Sequence, residues 1–213
     1  MVTLDDTQLY LPELWATHAK SFANKPAVIC GERQISWREF NTSLNRVANA
    51  LLRDGVAPSQ KVAIIMGNSV ETLFAMYGCA KARACIVPIS TLLTPQQVAT
   101  LLEDSEAETV FASANTLALV TQAESLLTQL EVKRRIVVGD AADHWISFEQ
   151  WIADASEAEP PVRYELSDDF NIIYSSGTTG LPKGIVQTHR ARQHWSYSNA
   201  LELRFDCNSI ALV

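Results

Sequence analysis

Within ten positions, the run Ser175-Ser-Gly-Thr-Thr-Gly-Leu-Pro-Lys-Gly184 holds four hydroxyl side chains, three glycines and one cation. Hydroxyls donate hydrogen bonds to anionic oxygens, glycine lets backbone N–H groups approach a ligand, and Lys183 adds a mobile positive charge. Together these are the requirements of a phosphate cradle. A polar surface turn is the competing reading, because Gly, Ser and Thr make turns readily, but the density here exceeds what a turn uses. A Walker loop, G-x-x-x-x-G-K-[ST], would need Gly at 182 and Ser or Thr at 184. The chain has Pro182 and Gly184 instead, so the hydroxyl that usually holds magnesium is missing.

A strand must deliver the chain to this loop, and Phe170-Asn-Ile-Ile-Tyr174 is apolar and β-favouring. On the far side Ile185-Val-Gln187 reads as extended before Thr188 opens a helix, so the loop does not sit directly on a helix N-terminus. Upstream, Ser36 and Glu39 form a capping box for a helix running to Gly55, and Asn68 with Glu71 suggests a second box. Thr94, Pro95 and Gln97 suggest a third, with proline at the first helical position. Short apolar runs at 61–66, 84–88, 109–113 and 135–138 alternate with these helices, and 117–130 reads as an amphipathic helix. A short helix is expected at 147–152, and the apolar end Ile210-Ala-Leu-Val213 reads as a strand cut short. Strands alternating with helices predict an α/β fold, a mostly parallel sheet with helices on both faces.

Composition narrows the partners. The 213 residues are 47% hydrophobic and 19% charged, with a net charge of -7, which argues for a globular chain and against a nucleic-acid footprint. No apolar stretch approaches the roughly 18 residues of a membrane span, and the acidic N-terminus does not look like a secretory signal, so a cytoplasmic protein is expected. Asp154, Glu157, Glu159, Glu165, Asp168 and Asp169 face one Arg163 around Pro160-Pro161, which reads as an exposed acidic connector at about 153–169. Cys30, Cys79, Cys85 and Cys207 have no metal-ligand spacing and read as buried free thiols. His189 reads as a surface residue near a helix start or, less readily, a ligand; His18, His144 and His194 have no pattern around them. The five tryptophans, Trp15, Trp37, Trp145, Trp151 and Trp195, read as packing residues.

Tyr174 to Gly184 resembles the phosphate-loop signature of the adenylate-forming enzymes, the superfamily of acyl-CoA synthetases, aryl-CoA ligases, peptide-synthetase adenylation domains and luciferases. The flanks, Asp168-Asp169 and Thr188-His189-Arg190, and the upstream segments 40–55 and 68–88 resemble it too. At Arg83 the family often has glycine, which reads as a local helix-end difference. The resemblance implies ATP-dependent activation of a carboxylic acid to an acyl-adenylate and pyrophosphate, then thioester formation with coenzyme A. It also implies that Ser175, Ser176, Gly177, Thr178, Thr179, Gly180 and Lys183 hold the leaving pyrophosphate, with Lys183 the catalytic cation. Mg2+ ligands are expected outside these 213 residues, together with the motifs for adenine and ribose and a C-terminal domain. The chain is accordingly expected to be an N-terminal subdomain, inactive alone, that orders its loop on phosphate; a homo-oligomer is left open. A stand-alone nucleotide- or pyrophosphate-binding module, a non-catalytic interaction domain and an aryl or amino-acid adenylating enzyme are the alternatives.

Overall fold

The computed structural model describes residues 10–175 and 182–212. Helix α1 (Leu11–Ser21) precedes an antiparallel pair, β1 (Pro26–Cys30) and β2 (Arg33–Ser36), and helix α2 (Trp37–Arg53). The alternation follows as β3 (Lys61–Ile65), α3 (Val70–Lys81), β4 (Cys85–Pro88), α4 (Pro95–Ser105), β5 (Thr109–Ser113), α5 (Leu117–Glu124) and β6 (Arg134–Val138). Then come β7 (Ile146–Ser147), α6 (Phe148–Ala153), the connector, β8 (Asp169–Ser175), β9 (Lys183–Thr188) and α7 (His189–Glu202).

Seven strands form one sheet in the order β7-β6-β5-β3-β4-β8-β9, parallel throughout except at β8–β9. The expected mostly parallel α/β sheet is therefore present. The reversal at β9 has a geometric cause: a parallel return needs a crossover of about a dozen residues, and the link from Ser175 to Lys183 is too short for one.

Helices cover both faces. Leu44, Val47 and Leu51 of α2 and Phe74 of α3 pack with Phe111, Ile136 and Trp151 on one side. On the other, Leu102 of α4 and Val120 of α5 meet Ile65, Val87, Val110 and Val137. The boxes at Ser36 and Thr94 form as the spacing predicts, with Ser36 Oγ accepting the Glu39 N–H and Thr94 Oγ1 the Gln97 N–H. Gly78 allows α2 and α3 to close on each other, because a Cβ there would lie 2.4 Å from Val47 Cγ1.

Several expectations need correction. The second helix is capped by Ser69, which accepts the Thr72 N–H, while Glu71 pairs with Arg33 at 2.7 Å rather than completing a box on Asn68. α5 stops at Glu124 and not at Leu130: the Glu103 carboxylate accepts the N–H groups of Thr128 and Gln129 and draws that backbone away from helical geometry. Residues 209–212 carry no strand. Cys79 and Cys85 are buried, and burial pushes the Cys85 thiol up to about 12, but Cys30 and Cys207 are exposed. Trp15, Trp37, Trp145 and Trp151 pack as expected, whereas Trp195 is 57% exposed beneath the Arg192 guanidinium.

Candidate functional site

The β8–β9 hairpin carries the hydroxyl-rich run. Ser175 stands opposite Lys183 at one end of the ladder and Asp169 opposite Thr188 at the other. Because β8 runs parallel to β4, Ser175 and Lys183 lie at the carboxyl ends of the parallel strands, the edge where open α/β sheets bind ligands. Both residues are exposed there. Ser176, Gly177, Thr178, Thr179 and Gly180 lie outside the described residues, as does most of the segment expected to order on phosphate. The three-glycine count has a packing reason at Gly184, where a Cβ would come within 3.1 Å of the Tyr174 ring. Tyr174 in turn donates its hydroxyl to Asp104 Oδ2 of α4 at 2.6 Å, and burial together with that carboxylate raises the phenol above its ordinary range.

At the opposite end the acidic connector is not simply solvated. Lys81, the last residue of α3, is wholly buried, and its Nζ donates to Asn41 Oδ1 at 2.7 Å, Asn45 Oδ1 at 2.5 Å and Glu159 Oε2 at 2.6 Å. Desolvation lowers the ammonium's pKa, and the hydrogen bond and charge of Glu159 oppose that shift. Tyr164 is buried as well and donates to the Lys81 carbonyl at 3.1 Å. Asp168 is held by Arg83, whose Nε and Nη2 reach its two carboxylate oxygens at 2.8 and 3.0 Å. Burial pushes the Asp168 carboxyl up, but the Arg83 hydrogen bonds and charge outweigh it and leave it below its usual value. Opposite charges spaced along α3 and its exit pull the connector onto the fold, a pairing that a charge count along the sequence does not reveal.

His189 is 1% exposed, contrary to the surface position expected for it. Its ring packs edge-on to Phe170 at 5.0 Å and lies against Tyr164 at 5.9 Å, and neither imidazole nitrogen has a hydrogen-bond partner among the described residues. Desolvation lowers its pKa to about 4, opposed by Asp168 and reinforced by Arg83, so the ring is neutral at pH 7. It is a packing residue behind the hairpin and is not grouped with Ser175 or Lys183.

Among the described residues no group of three His, Cys, Asp or Glu side chains could hold a metal ion, and no helix is long and apolar enough to cross a membrane. A cleft of about 480 Å³ is lined by Lys61, Glu103, Glu106 and Glu108. It opens where β3 and β5 begin, away from the hairpin's loop end, and its acidic lining suits no phosphate.

A mostly parallel sheet bearing a hydroxyl-, glycine- and lysine-rich hairpin link at its carboxyl edge defines a class, and the comparisons agree with it. The family model described as AMP-binding enzyme matches residues 15–209, and the chain belongs to that family. It is 30% identical over 176 residues to a fatty acid–[acyl-carrier-protein] ligase, ScoC, of Streptomyces coeruleorubidus, covering 82% of this chain and 32% of that protein. It is 32% identical over 171 residues to a 4-hydroxybenzoate–CoA/benzoate–CoA ligase of Rhodopseudomonas palustris, covering 80% and 31%. The anthranilate CoA ligase AuaEII, solved with anthranoyl-AMP, superposes with a TM-score of 0.80 at 28% identity, covering 88% of this chain and 36% of that one. The chain thus spans about a third of the length of these curated relatives.

Proposed function

We propose that the protein to which this chain belongs activates a carboxylic acid with ATP, forming an acyl-adenylate and pyrophosphate, and then passes the acyl group to the thiol of coenzyme A. In this reading residues 1–213 are the N-terminal subdomain of a cytoplasmic ligase whose magnesium ligands lie elsewhere. The observation that carries it is the pairing of Ser175 with Lys183 at the carboxyl edge of the parallel strands, with the Ser176–Gly180 run between them. The relatives named above, each a ligase by name, support the reaction class.

Negative charge builds on the leaving pyrophosphate as its bond to the α-phosphorus breaks. An ammonium and hydroxyl donors already aimed at that position stabilise the transition state more than the ground state. Lys183 supplies the charge; Ser175, Ser176, Thr178 and Thr179 supply hydroxyl donors; Gly177 and Gly180 let backbone N–H groups approach. With a chain net charge of -7, little background field assists a polyanion, so the local cation matters.

The test is carboxylate-dependent ATP–pyrophosphate exchange by the full-length protein. Lys183→Ala is expected to slow exchange roughly 30- to 1,000-fold, equivalent to about 2 to 4 kcal/mol of transition-state stabilisation, with Tm little changed. Equal rates for variant and wild type would remove Lys183 from the mechanism. The 213-residue chain, assayed alongside, is expected to show no exchange.

A further inference from the structure

Among the described residues five without glycine's freedom take left-handed backbone, and two of them, Ser59 at φ +59 and Arg83 at φ +64, bear on the root of the β8–β9 hairpin. Left-handed backbone in a residue with a Cβ is unfavourable unless the surroundings enforce it, and such residues gather where function needs a fixed geometry. Ser59 lies in the link from α2 to β3, and Arg83 in the turn from α3 to β4. They are joined to each other, since the Ser59 N–H donates to the Arg83 carbonyl at 2.7 Å. Each also takes hold of one residue at the start of β8. Ser59 Oγ accepts the Asp169 N–H at 3.1 Å, and Arg83 engages Asp168 with both arms of its guanidinium while Glu165 stands 3.9 Å away. Asp168 closes the other side, its Oδ2 accepting the Glu165 N–H at 3.1 Å and its carbonyl the His189 N–H at 3.0 Å.

We propose that Ser59 and Arg83 form a clamp that sets the axial position of the β8–β9 hairpin, and with it the place of Lys183 at the far end. Lys183 is tied to the clamp by strand register alone, through Asp169 opposite Thr188 and Ser175 opposite Lys183. β8 joins the rest of the sheet by a short ladder to β4, with Ile86 opposite Asn171, by Phe170 and Ile172 packing into the two cores, and by the Tyr174 hydroxyl on Asp104; of these the hydrogen bond alone fixes a direction. A slip of one residue along a strand moves every group on it by about 3.3 Å, and a reacting group displaced by about 1 Å can lose a hundredfold in rate. Ser59 and Arg83 touch no part of the loop end; they are positioning residues. The catalytic consequence rests on the function proposed above, whereas the mechanical one does not.

Glycine at either position accepts the observed backbone without penalty while deleting the side-chain grip, so Ser59→Gly and Arg83→Gly separate clamping from backbone strain. In the full-length protein both variants are expected to fold, with Tm within about 4 °C of wild type. Amide hydrogen exchange is the first measurement: β8 and β9 amides should exchange at least about tenfold faster in either variant, while α2 amides stay as they are. ATP–pyrophosphate exchange is the second, and its kcat should fall about tenfold or more, with partial recovery in Arg83→Lys, which keeps the charge but not the two-armed contact. Unchanged protection of β8 and β9 would overturn the clamp whatever the activity. Loosened strands with full turnover would overturn its role in placing Lys183. If wild type itself shows no exchange with any carboxylate, the proposed function fails and amide protection alone decides the clamp.

Discussion

Lys81 and Lys183 carry the same ammonium on the same four-carbon stem, yet one is wholly buried at the end of α3 and the other stands exposed at the end of a hairpin. Around Lys81 each donor direction is used, by Asn41, Asn45 and Glu159, and apolar packing surrounds the cage. Such an arrangement is rigid: three donors fixed by three acceptors leave the ammonium nothing to offer a ligand. The β8–β9–α7 region is built the other way. Ile173, Ile185 and Val186 are exposed, His189 is buried with no hydrogen-bond partner for either nitrogen among the described residues, and Lys183 faces solvent. Chemistry on a transient anion needs a charge that is positioned but not already neutralised. A buried charge needs the reverse, because its desolvation must be offset by fixed partners.

The contrast is tested most severely at Lys81. Lys81→Ala should destabilise the protein by about 3 kcal/mol in urea titration, since it strands two amides and a half-exposed carboxylate and leaves the volume of the stem unfilled. A loss below about 1 kcal/mol would mean the cage behaves as an ordinary surface pair.

His189 gives the next effect, on the opposite side of the comparison. Its ring is neutral when folded, with a pKa lowered from 6.5 to about 4, so the unfolded chain binds more protons between those values. Stability from this group is therefore full above pH 6.5 and falls as the pH drops toward 4. The linkage predicts that wild type loses about 2 kcal/mol from this site between pH 7 and pH 5. In His189→Phe that part of the pH dependence should vanish, a difference in slope that does not depend on how well the larger ring packs. Identical pH profiles for the two proteins would show that the imidazole is not held neutral.

The last expected effect lies back in the buried region. Gly78→Ala places a methyl 2.4 Å from Val47 Cγ1, and Val47 cannot turn away freely because its branched side chain is restricted on a helix. Separating α2 from α3 enough to admit it should cost about 1 to 3 kcal/mol, read from the urea midpoint, with Lys183-dependent exchange kinetics unchanged. If those kinetics changed as well, the two regions would be coupled rather than independent.

Much of the fold was legible from local patterns. The capping residues Ser36, Thr94 and Thr188 start their helices as read, and the apolar runs from Lys61 to Val138 become parallel strands. α1 and the β1–β2 pair were missed although short signals existed: Glu13 accepts the Tyr10 N–H ahead of α1, and Gly31 turns at φ +58 between the strands. Of the candidate site, the chemistry-bearing types and their order were readable, because hydroxyls, glycines and a lysine in one run state their own chemistry.

What the sequence determined by itself about this protein is local: which runs are strands, where helices begin, and which ten residues gather hydroxyls, glycines and a lysine, since each depends on neighbours a few positions apart. The tertiary structure decided which distant groups meet. The acids from Asp154 to Asp169 read as a solvated connector, until α2, α3 and the connector met and set Glu159 against the buried Lys81 ammonium. Arg83 looked like a local variation at a helix end, and only the approach of β8 gave its left-handed backbone a purpose in Asp168. His189 looked exposed because a helix start is polar by type, and the rings of Phe170 and Tyr164 cover it. Burial and ion pairing between residues tens of positions apart depend on where the chain returns in space, a quantity that residue type and spacing do not contain.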